Sequence, residues 1–86
     1  MKDLSSLRAE IDHLDKQLWE IIAQRMDIAR EIGDWKHTHG EPVLQFNRYQ
    51  QVLDQCLQWG REKGISEDTV REVMDALHKE SVRVQS

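Results

Sequence analysis

Arg25 stands in the middle of IIAQRMDIAREIGDWK, on a stripe that runs Leu4, Leu7, Ile11, Leu14, Leu18, Ile21, then Ile28, Ile32 and Trp35. The steps alternate three and four, the heptad rhythm of a helix laid against partner helices. Between Ile21 and Ile28 that rhythm calls for an apolar residue, and a permanent cation is there instead. A second stripe, Val70, Val73, Met74 and Leu77, meets Ser81 and then Gln85 when continued in steps of four. Polar groups on inward faces are costly unless paired. Singly, each reads as a buried salt bridge or a register-setting contact. Lys36 changes the balance, because it follows Arg25 by three turns and about 20° of rotation, so both project to nearly the same side. Their roots are ~16 Å apart along the axis. Two long side chains bending toward each other can grip the ends of a small anion.

Two further cations extend this set. Arg8 is roughly 25 Å from Arg25 along a helix and cannot share a small-molecule site within its own chain. If two copies of the helix pack antiparallel about a two-fold near residue 21, Arg8 of one lies opposite residue 34 of the other, beside the partner's Lys36. A cationic pocket built from two chains follows, with Arg48 as another candidate lining residue. Other chemistries find little support. His13, His37, His39 and His78 include an HxH but no cysteine or carboxylate at ligand spacing, so no metal site is expected. Cys56 lies on an apolar stripe, there is no Gly-rich phosphate loop, and no Ser, Cys or Lys has an activating neighbour. An enzyme with this inventory works by electrostatics and shape.

The elements that must position these residues are few. Eighty-six residues make one domain, 1–86, near the lower limit for a core without disulfides or metal. Only 38% of residues are hydrophobic and 33% are charged, so most apolar side chains must enter one shared core, and oligomerisation would help. The net charge of −4, with basic and acidic residues interspersed, argues against nucleic acid as a partner. The single cysteine fits a reducing compartment. No apolar run approaches the roughly 20 residues that span a bilayer, and MKDLSSLRAEID lacks the apolar core of a signal peptide. The expectation is a cytoplasmic protein with no membrane partner.

The periodicity predicts an all-α chain of three helices, one long and two shorter. Asp3 caps the first, which runs past Gly33, a tolerable interruption, to a stop at His39 and Gly40. At about 36 residues it would be roughly 54 Å long, against a radius of gyration of ~12 Å for a compact chain of this size. It must project. After the GEPV turn, NRYQ resembles a capping box with Asn47 and Gln50, opening a helix that buries Val52, Leu53, Cys56 and Leu57 until Gly64 closes it. Ser66, with Glu67 and Asp68 in the first turn, opens the third.

LRAEIDHLDKQLWEIIAQRMDIAREIGDWK, PVLQFNRY and the terminal ESVRVQ together resemble the all-helical chorismate mutases over nearly the whole chain. The resemblance implies an intertwined helical homodimer with shared active sites that rearranges chorismate to prephenate, in aromatic amino-acid biosynthesis, without a cofactor. By motif position, Arg8 of the second chain and Arg25 would bind substrate carboxylates. Lys36 and Gln85 would donate to the ether oxygen, and Arg48 and Ser81 would complete the wall. Two positions depart from the commonest pattern. Gln45 stands where many members have Asp, and Tyr49 where they have the Glu that meets the substrate hydroxyl; either Gln45 or Tyr49 could serve that hydroxyl. Related helical proteins act as isochorismate-pyruvate lyases or on amino-substituted chorismate, and the VLQ wording is similar to forms fused to DAHP synthase, so fusion to another shikimate-pathway enzyme is a further expectation. The rival from another class is a non-enzymatic dimerising module.

Overall fold

A computed structural model describes residues 2–86 and forms three helices, α1 (Leu4–His39), α2 (Phe46–Glu62) and α3 (Glu67–Gln85). Asp3 caps α1, its side chain accepting the Ser6 N–H at 2.8 Å. That hydrogen bond holds the Asp3 carboxyl below its ordinary range. Gly40 ends the helix in the left-handed region at φ 68°, where a β-carbon would be strained. Ser66 caps α3 by accepting the Thr69 N–H at 3.2 Å.

The start of α2 differs from the sequence reading. Its N-cap is Gln45, whose carbonyl accepts the Tyr49 N–H at 3.1 Å, and no side chain caps it. Asn47 is inside the helix, and the Gln50 amide donates to Asp54 instead of closing a capping box. The preceding loop accounts for the shift. Gln45 Nε2 donates to the Pro42 carbonyl at 3.3 Å, closing the turn early and starting the helix two residues sooner.

α1 and α2 each pack on α3, and they do not pack on one another. Leu53 of α2 and Val70 and Met74 of α3 form a buried cluster, with Tyr49, Val52, Cys56, Leu57 and Leu77 around it. Val73, expected on the same inward stripe, remains 51% exposed. It lies about 60° around the helix from Val70, on the side away from Met74, and falls beyond the cover of α2. On the other side of α3, α1 buries Met26, Ala29 and Gly33.

The long apolar stripe of α1 takes no part in this core. All nine of its hydrophobic residues are exposed, Ile32 least at 45%. Residues 2–21 are exposed throughout. The molecule measures 57 × 23 × 15 Å, with a radius of gyration of 16.2 Å. Its accessible surface is 7095 Å², against about 5,300 Å² for a compact monomer of this mass.

Candidate active site

The sequence separates Arg25 from Ser81 and Lys36 from Gln85, and the fold joins both pairs. Arg25 Nη1 donates to Ser81 Oγ at 3.0 Å. Lys36 Nζ donates to Gln85 Oε1 at 2.7 Å and to the Val43 carbonyl at 2.7 Å. All four side chains are half-buried. Ser81 and Gln85 are four residues apart, so the two cationic heads reach groups rooted on a single turn of α3, about 6 Å of helix.

The partners are all neutral. Neither Arg25 nor Lys36 has a carboxylate within ion-pair distance among the described residues, although the surface carries five such pairs elsewhere. An internal salt bridge for Arg25 is therefore not what the fold provides. Two cations held by a hydroxyl, an amide and a carbonyl keep their full charge for an external anion.

The geometry also fixes which way the Gln85 amide points. An ammonium can only donate, so Lys36 takes the Oε1 end and leaves the NH2 end free. Lys36 in turn has three donors and spends two of them on Gln85 and Val43. One remains. A lysine proton and an amide N–H, side by side, make a two-donor site for an oxygen that gains negative charge.

The other expected residues lie around or apart from this centre. Gln45 and Tyr49 follow the loop that Lys36 holds through Val43. Tyr49 packs against His78 of α3 with ring centroids 4.0 Å apart and the rings tilted by 33°, a contact the sequence does not suggest. His78 precedes Ser81 by three residues and is half-buried on the same side of α3. Arg48 is exposed and donates to Gln51 at 2.8 Å. Arg8 is on the exposed part of α1 and does not join the cluster of its own chain. Two groups carry no distinct signal in the sequence: the Val43 carbonyl, which leaves no trace in side-chain pattern, and His78, one of four histidines without ligand spacing. Among the described residues, no group of three His, Cys, Asp or Glu side chains could hold a metal. His39 is instead stacked on Trp35 at 4.0 Å, with Nδ1 2.8 Å from the Trp35 carbonyl.

Residues 7–86 match the chorismate mutase type II family. The chain belongs to that family. Among curated relatives, the T-protein of Haemophilus influenzae is 33% identical over 81 residues, covering 94% of this chain but only 22% of that protein. The 4-amino-4-deoxychorismate mutase of Streptomyces venezuelae is 31% identical over 83 residues, 96% of this chain and 81% of the relative. The chorismate mutase of Methanocaldococcus jannaschii is 21% identical over 85 residues, 99% of this chain and 86% of the relative. This type II chorismate mutase domain thus matches a relative several times its length and others close to its own size. Its all-helical architecture agrees with the expectation from sequence.

Proposed function

We propose that the chain rearranges chorismate to prephenate in a site completed by a second copy of itself. The observation that carries this reading is the pairing of Arg25 with Ser81 and Lys36 with Gln85, two cations with neutral partners around one turn of α3. The rearrangement is intramolecular: a C–O bond breaks while a C–C bond forms, and no group enters or leaves. The protein needs no nucleophile and no proton shuttle. It has to hold the substrate folded and stabilise the charge that grows on the ether oxygen. Arg25 meets one carboxylate, and Lys36 Nζ with Gln85 Nε2 meets the ether oxygen. Arg48 and Ser81 line the wall, and Gln45 or Tyr49 faces the ring hydroxyl.

The second copy supplies Arg8. The exposed stripe of α1 supports this arrangement, as does an accessible surface roughly 1,800 Å² above that of a compact monomer, an excess of the size a stable interface buries. No helix among the described residues is long and apolar enough to cross a membrane. With a single cysteine, this fits the cytoplasm as the working compartment. We also propose that residues 1–86 form one unit that can stand alone or be joined to another enzyme of the same pathway, a DAHP synthase among the options.

Loss of chorismate absorbance on incubation with the purified chain tests the activity directly. Arg25→Ala is expected to lower kcat/KM at least 1000-fold while changing folding stability by no more than about 1 kcal/mol, because only a part-buried hydrogen bond to Ser81 is lost. Unfolding of that variant, or its full activity, would contradict the assignment. A second substrate merits the same assay. Gln45 and Tyr49 are both neutral, and a relative named for 4-amino-4-deoxychorismate shares 31% identity. A neutral rim suits a hydroxyl better than an ammonium, so turnover of chorismate is expected to exceed that of the amino analogue.

A further inference from the structure

Gln85 reaches Lys36 because the backbone of α3 comes down onto α1 at Gly33. A β-carbon built on Gly33 would lie 2.7 Å from Gln85 Cα, 2.9 Å from its Cβ and 3.0 Å from its carbonyl oxygen. Carbon atoms in ordinary contact are about 3.5–4.0 Å apart. Any side chain at this position would therefore drive the end of α3 outward by about 1 Å. Nothing else asks for glycine here. Gly33 is not among the positive-φ glycines, so its backbone is open to any residue. Glycine is also a poor helix former, and Gly33 lies inside α1, six residues before its end at His39.

Gly33 and Lys36 are three residues apart and share a face of α1. Gln85 is the last residue of α3, and its backbone rests on Gly33 while its amide accepts the Lys36 ammonium. We propose that Gly33 is a positioning residue: the missing side chain sets the spacing between the Lys36 and Gln85 donors. The inference rests on the reading of those two groups as the donor pair. A displacement near 1 Å at such a pair is enough to cost one to two orders of magnitude in rate. Gly60 offers a control. It too is buried, but its added β-carbon would meet the Val70 side chain inside the α2–α3 core, away from the polar cluster.

The test compares Gly33→Ala, Gln85→Ala, the double variant and Gly60→Ala, measuring kcat and KM with chorismate, helical ellipticity and Tm. Gly33→Ala is expected to keep its ellipticity and lose about 10- to 100-fold in kcat with a smaller change in KM. Added to Gln85→Ala, it should cost less than about 3-fold more, since the group it positions is already gone. Gly60→Ala should lower Tm while leaving kcat within about 2-fold at a temperature where it is folded. Full kcat in Gly33→Ala, an equal loss in both backgrounds, or failure of Gly33→Ala to fold would each make Gly33 a packing residue only and overturn the inference. Full activity of Gln85→Ala is a different failure, because it removes the donor pair itself.

Discussion

The two halves of α1 share one helix and one heptad rhythm, yet the fold treats them differently. From Leu4 to Ile21 the helix has a single apolar stripe, and none of the described residues covers it. From Arg25 to Lys36 it has two faces: Ile28, Ile32 and Trp35 continue the exposed stripe, while Met26, Ala29 and Gly33 are buried under α3. The second face is made of small or flexible residues, which let a helix approach closely. The lesson is that a strong hydrophobic period names a surface that wants cover without naming the molecule that supplies it. Within one chain, the weaker pattern won the contact.

If the exposed N-terminal half of α1 serves a second copy, the sharpest test of the contrast is to break one half in each of two chains. Arg8→Ala and Lys36→Ala are each expected to lose most activity, because every site of either homodimer lacks a cation. Unfolded together and refolded at equal amounts, they form mixed dimers in about half of all pairings. Each mixed dimer has one complete site of two, so activity should return to roughly a quarter of the unmutated value per chain. Recovery near zero, with mixed dimers shown to form, would place Arg8 outside the pocket.

A smaller effect separates the halves by how they hold together. Leu14→Asp puts a charge on the uncovered stripe, 57% exposed within the chain, and should shift sedimentation toward monomer and make activity depend on protein concentration. Leu53→Ala hollows the α2–α3 cluster, where the side chain is 6% exposed, and should cost about 2–5 kcal/mol of stability without favouring monomer by itself. If Leu14→Asp changes neither mass nor activity, the stripe has no partner that matters to function.

The ends of α1 and α3 were legible in the sequence because Asp3, Gly40 and Ser66 act through local geometry that a short window contains. The start of α2 was not, since Asn47 and Gln50 have the residue types of a capping box while the loop hydrogen bond from Gln45 to Pro42 decides where the helix begins. The same division holds at the site. Arg25, Ser81 and Gln85 were visible as polar breaks in apolar stripes. Val43, His78 and the role of Gly33 depend on what a distant helix brings to them, and the glycine passed for a tolerable interruption.

The smallest expected effect lies at the start of α1. The Asp3 carboxyl is held below its ordinary value of 3.8 by the Ser6 N–H, so its capping contribution is present above that value and is lost as pH falls through the lowered one. The protection factor of the Ser6 amide against hydrogen exchange is expected to drop a few-fold between about pH 5 and pH 2. Asp3→Ala should abolish that pH dependence. A persistent pH effect in the variant would assign the fraying to another group.

The placement of α3 between α1 and α2 governs the order in which the molecule can be made. α1 leaves the ribosome before α2 and α3, yet among the described residues the face formed by Met26, Ala29 and Gly33 finds its cover in the last of these three helices to be translated. At ordinary elongation rates, the interval between His39 and Gln85 is roughly 2–9 s. Until α3 emerges, that face of the nascent α1 has no described helix of its own chain to pack on. Helix formation alone takes about a microsecond, so the wait is set by synthesis, and the three-helix unit closes when α3 arrives.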